Sequence, residues 1–106
     1  MSAYVVMIRE RVSNPAEMET YAQLAPLARQ GQTITPLAFY GALEVLEGDA
    51  PDGVVILHFP SVEEARRWYD SPAYQAALVH RRRGADYRVF IVEGKPGIAV
   101  SPTVTA

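Results

Sequence analysis

The chain contains no cysteine. Disulfides, thiolate nucleophiles and thiolate metal sites therefore lie outside its chemistry. Histidine is nearly as scarce. The two present, His58 and His80, stand far apart, without His-x-His or His-x-x-x-His spacing, so no metal site is expected and no cofactor motif is evident. Charge of one sign is missing as well. Ten Lys and Arg against twelve Asp and Glu leave a net charge of -2, which offers nucleic acid or an anionic membrane surface no favourable field. No apolar run approaches the roughly 20 residues needed to cross a bilayer. The opening MSAYVVMIRERV has neither a basic leader nor a small-residue cleavage site, and a cytoplasmic location is the expectation. A glycine-rich phosphate loop and a Gly-x-Ser-x-Gly elbow are also absent.

What is present reads as one α+β domain of 106 residues, 49% of them hydrophobic. Tyr4 to Ile8 are apolar on both parities before Arg9, Glu10 and Arg11 turn polar. This predicts a strand over Ala3–Val12, central at its start. Asn14 and Pro15 open a helix as N-cap and first residue. Pro26 should kink or end that helix early, and Gly31 stops it. Thr35 to Glu47 reads as a second extended segment, placed at an edge by Pro36 and Gly41. The turn formers of GDAPDG should close it as a hairpin onto Val54 to Phe59. If Glu47 pairs with Val54, His58 lies opposite Leu43. Ser61 and Glu64 then form a capping box, and Val62, Ala65, Trp68 and Tyr69 share one helical face. Ser71-Pro72 starts a second helical piece that runs to about Arg83. Asp86 to Glu93 is the last strand.

The order β-α-β-β-α-β is ferredoxin-like: an antiparallel four-stranded sheet, strand order four-one-three-two, with helices on one face. Apolar residues on the other parity need a second cover, which predicts a homodimer through the open sheet face. Residues 1–94 make the domain, and the tail 95–106 is expected to pack on the partner subunit.

The segments LEVLEGD, HFPSVEEARRWYDSPAYQAAL and ADYRVFIVEG resemble the domain of unknown function 1330 family. The resemblance implies a dimeric α+β barrel. At the superfamily level that fold includes cofactor-free monooxygenases, lactone isomerases, haem enzymes and proteins of no known activity, so it implies no reaction. Members often carry Arg-Gly where this chain has Phe39-Tyr40, and an acidic residue where it has His58.

His58 is the sharpest catalytic candidate, because a histidine in an apolar strand can exchange protons near neutral pH. It also reads as a core or interface residue bonded to a neighbour. Tyr40, Trp68 and Arg88 are the candidate ligand-binding residues beside it. Arg9 and Arg88 suit a substrate carboxylate, or an acidic residue across the sheet such as Glu10, Glu44 or Glu93. The arginines after His80 suit the C-terminal end of a helix dipole. Three functions compete: a metal-free enzyme for a small organic molecule, a regulatory dimer that binds such a molecule, and a structural dimer with a filled interior. An RNA-binding reading fails for want of the basic-glycine-aromatic strand signature.

Overall fold

The computed structural model describes residues 1–97. Its elements are β1 (Ala3–Val12), α1 (Pro15–Leu24), a 3₁₀ turn (Ala25–Arg29), β2 (Thr35–Phe39), β3 (Gly53–Phe59), α2 (Val62–Asp70), α3 (Pro72–Gly84) and β4 (Ala85–Glu93). The strands form one four-stranded antiparallel sheet in the order β2-β3-β1-β4, as the sequence predicts. The expected tail beyond residue 97 lies outside the described residues.

The caps act as anticipated. Asn14 accepts from the Glu17 backbone N–H at 3.4 Å, Ser61 from Glu64 at 3.1 Å and Ser71 from Tyr74 at 3.2 Å. Each fills an orphan donor at a helix start. Pro26 lies in the 3₁₀ turn that follows α1, the early end that a missing donor imposes.

Burial splits the sheet. Val5, Met7, Val55, Leu57 and Phe59 enter the core beneath the helices, joined there by Ala65, Trp68, Tyr74 and Leu78. The alternate residues Tyr4, Val6, Ile8, Val54 and Ile56 stay partly exposed on the opposite face. Phe90 stands beside Val6 on that face and is 46% exposed.

The second extended segment is shorter than predicted, and its pairing differs. Only Thr35–Phe39 is strand, and residues 40–52 form an irregular connection. His58 pairs with Thr35, not Leu43. Three features explain the change. Pro36 lacks a ladder donor, the register shifts between Pro36 and Ala38, and Tyr40 adopts a positive φ of 54° that turns the chain off the sheet. Leu43, Val45 and Leu46 are consequently exposed.

The return from α3 passes close to the start of α1. The Gly84 carbonyl accepts from the Ser13 and Asn14 backbone N–H groups at 2.8 and 3.0 Å. A Cβ on Gly84 would stand 2.8 Å from Met18 Cγ and 3.0 Å from the Met18 backbone nitrogen. Because part of that obstacle is backbone, Gly84→Ala should lower stability by about 1–3 kcal/mol. Urea unfolding measures this, and an unchanged midpoint would show that the two segments can separate without loss.

Candidate functional site

A cavity of about 400 Å³ lies between the helix-covered sheet face and α1 with its 3₁₀ turn. Met7, Val55 and Leu57 form its floor, and Met18, Ala22 and Ala25 line it from the helical side. Polar groups come from Arg9, Arg29, Tyr21, Tyr40 and Tyr74. Apolar walls with a few convergent polar groups suit a small organic ligand.

The polar end is built from three strands. Arg9 on β1 is flanked by Gly53 on β3 and Tyr87 on β4. Gly53 leaves room for the Tyr40 ring. A Cβ there would stand 2.6 Å from Tyr40 Cδ1. Tyr40 thereby crosses β3 beneath Arg9, whose guanidinium lies 4.3 Å from the centre of its ring. The Tyr40 hydroxyl hydrogen-bonds the Tyr87 hydroxyl. Arg9 Nε also donates to Asp52 Oδ2 at 2.6 Å, which holds the guanidinium at the rim. The positive φ of Tyr40 costs on the order of 1–3 kcal/mol, and such strain tends to cluster at functional sites.

Deeper in, the Tyr21 and Tyr74 hydroxyls share a hydrogen bond at 2.8 Å. Burial pushes the Tyr21 hydroxyl well above the usual phenol range, and the Tyr74 phenol adds to the rise. Burial likewise raises Tyr74, against the opposing charge of Arg81. Burial raises Tyr40, reinforced by its bond to Tyr87. At neutral pH these hydroxyls are therefore hydrogen-bonding groups rather than bases. No His, Asp or Glu lines the cavity among the described residues, and no group of three His, Cys, Asp or Glu side chains among them is placed to hold a metal.

The structure brings together two of the four residues singled out in the sequence. Tyr40 and Trp68 line the cavity. His58 and Arg88 stand on the opposite sheet face. His58 pairs with Tyr4 across the ladder, is 7% exposed, and meets the Tyr4 ring edge-on at 5.5 Å. Its Nε2 has no hydrogen-bond partner among the described residues. Arg88 donates to Glu10 at 2.7 Å and is largely exposed, the cross-sheet alternative foreseen for it. His80 Nδ1 meets Glu17 Oε2 at 2.6 Å and joins α3 to α1. Tyr21, Gly53 and Tyr87 were not singled out in the sequence as site residues. Only the strand register places Gly53 and Tyr87 beside Arg9.

A family model described as Domain of unknown function (DUF1330) matches residues 2–95. No curated protein matches the chain. Among solved structures, a protein of unknown function from Rhodopseudomonas palustris is similar at 21% identity and TM-score 0.68, over 90% of this chain and 84% of that one. A dimeric ferredoxin-like protein of unknown function from Thermobifida fusca is similar at 16% identity and TM-score 0.61, over 87% and 90%. SnoaB, a cofactor-independent oxygenase from Streptomyces nogalater, is similar at 15% identity and TM-score 0.56, over 92% and 95%. At these identities the likeness is one of fold.

The raised phenols carry a pH consequence. An unfolded chain releases tyrosine protons near pH 10, approximately. The folded chain keeps those of Tyr21, Tyr40 and Tyr74 beyond that point. It then binds more protons than the unfolded chain, so stability is complete below about pH 10 and falls as pH rises further. Phenolate absorbance followed alongside circular dichroism should show Tyr21, Tyr40 and Tyr74 ionising only as the fold is lost. Ionisation of all six with the fold intact would contradict the burial argument.

Proposed function

The chain belongs to the domain of unknown function 1330 family, and from that premise we propose that it is a metal-free small-molecule enzyme working in the cavity between sheet and helices. The carrying observation is that Arg9 lies over the Tyr40 ring where both line a mainly apolar cavity, with the Tyr40 hydroxyl held by its bond to Tyr87. The substrate class is a small, largely apolar or aromatic molecule with an acidic oxygen, such as an enol or phenol. Arg9 stabilises the oxyanion, and the neutral Tyr40 hydroxyl donates a hydrogen bond to it. Among the described residues no side chain of the cavity is suited to act as a base at neutral pH, so the acidic substrate gives its proton to water and is held as its anion by the Arg9 charge. Isomerase-like or cofactor-independent oxygenase chemistry meets that requirement, since the electron pair of an enolate drives either. SnoaB, described as a cofactor-independent oxygenase, has this fold.

The same lack of a base favours a second reading, a regulatory dimer that binds such a molecule without turnover. In both readings the protein is a cytoplasmic homodimer paired through the open sheet face. Apolar Val6, Ile8, Ile56 and Phe90 support that pairing, as does the dimeric Thermobifida fusca structure. His58, whose enclosed Nε2 lacks a partner among the described residues, belongs to that face. Its catalytic role, proposed from the sequence, would need chemistry at the subunit junction rather than in the cavity.

Trp68 is the sole tryptophan and lines the cavity, so its fluorescence reports occupancy. Across a panel of naphthols, quinols and cyclic enols, wild type should show saturable quenching. Arg9→Met should weaken it at least about tenfold, the effect of losing one charge-assisted hydrogen bond. Gly53→Ala should do likewise by displacing Tyr40. Product formation or oxygen uptake on the bound compounds selects the enzyme, and binding without either selects the regulator. Quenching by none of them would leave the cavity without this role.

The interface is tested separately. Val6→Glu with Ile56→Glu should convert the dimer to a monomer by light scattering, while circular dichroism remains unchanged. A monomeric wild type at micromolar concentration would remove the dimer from the proposal.

A further inference from the structure

A second cleft of about 400 Å³ lies between the end of α3 and β4, with Tyr87 in its wall. Its walls include Tyr69, Arg81, Arg82, Asp86 and Tyr87. Arg81 is the anomaly. It is only 5% exposed, yet no carboxylate pairs with it among the described residues. Its Nε is enclosed without a hydrogen-bond partner. The guanidinium carbon lies 4.7 Å from the centre of the Tyr87 ring, which is itself a wall of the cleft.

A buried cation without a countercharge is costly. Three local features reduce that cost without neutralising it. The Tyr87 π-face attracts the guanidinium. The C-terminal end of α3 favours cations. The phenols of Tyr21 and Tyr74 lie within reach of its charge but are themselves neutral. Asp86, the acid lining the cleft, is engaged by Arg11, with Nη2 at 3.1 Å and Nε at 3.2 Å from the same oxygen. Arg82, on the next position of α3, adds a second positive charge to the cleft wall.

We propose that this cleft is a binding site for a small oxyanion, a carboxylate or a phosphate group, with buried Arg81 as its anchor and Arg82 at its rim. The guanidinium offers planar paired donors that match either group. The site shares no lining residue with the first cavity and does not rest on the function proposed for it.

The test uses the full chain, titrated with inorganic phosphate and separately with acetate, at ionic strength matched by chloride. Wild type should gain thermal stability saturably with at least one of the two anions. The side-chain Nε–H resonance of Arg81 should move along the same isotherm. A response to phosphate alone assigns a phosphate group, and a response to acetate alone a carboxylate. Arg81→Met removes the charge and keeps much of the volume. It should fold with unchanged or raised thermal stability and weaken anion binding at least about tenfold, the effect of losing a charge-assisted contact. Binding of neither anion beyond the chloride control overturns the proposal, and so does an undiminished response in Arg81→Met. Should that variant not fold, the wild-type resonance decides: saturable movement supports the site, and an unmoved peak rejects it.

Discussion

Gly53 leaves a gap in β3, and the Tyr40 ring occupies it. The geometry at the polar end of the cavity depends on that absence of a side chain. With the gap, Tyr40 passes beneath Arg9 and, from the end of β2, reaches across β3 and β1 to the Tyr87 hydroxyl on β4. Without it, the ring would have to leave and Arg9 would lose the surface on which it rests. The positive φ of Tyr40 belongs to the same arrangement, because it swings the ring inward where β2 ends. A glycine at this position would fit such a backbone without strain. This chain places tyrosine there and gains a ring and a hydroxyl at the site.

Tyrosine recurs through the interior for a related reason. Phenols fill volume as hydrophobic groups do, but each hydroxyl requires a partner. Here they partner one another, Tyr21 with Tyr74 and Tyr40 with Tyr87. Pairing hydroxyls satisfies the polar atoms without introducing charge, and burial then keeps them protonated. Among the described residues the charged groups that line the cavity are Arg9, paired at the rim with Asp52, and Arg29. That electrostatic bias favours an anionic ligand and supplies no proton acceptor. The Arg81 cleft also sets a cation against an aromatic face, but there no carboxylate pairs with the cation among the described residues.

The fold was largely legible from local chemistry. Asn14, Ser61 and Ser71 announce helix starts through their caps, and each makes the expected bond. Pro26 announces the early end of α1. The doubly apolar β1 and β3 are the central strands. The misread segment was 35–47. There Leu43, Val45 and Leu46 imitate a strand, but after Tyr40 the chain leaves the sheet. A conformational outlier at one residue decided it, and side-chain pattern does not encode such an outlier strongly. The register of β2 moved with it, and the neighbours of His58 changed accordingly.

The sequence by itself determined the element order, the caps, the strand order and the presence of apolar residues on both sheet faces. These follow from interactions within a few residues and from the periods of helix and strand. It also narrowed the chemistry, since the absence of cysteine and the sparse histidines are facts of composition. Only the tertiary structure decided which polar residues meet. His58 and Leu57 are neighbours in sequence yet lie on opposite faces, because successive strand residues point opposite ways. Arg9, Gly53 and Tyr87 are far apart in sequence yet adjacent, because antiparallel pairing brings three strands into register. The site is a product of long-range register, which is why Tyr40 and Trp68 joined Arg9 in one cavity while His58 and Arg88 were left on the other side of the sheet.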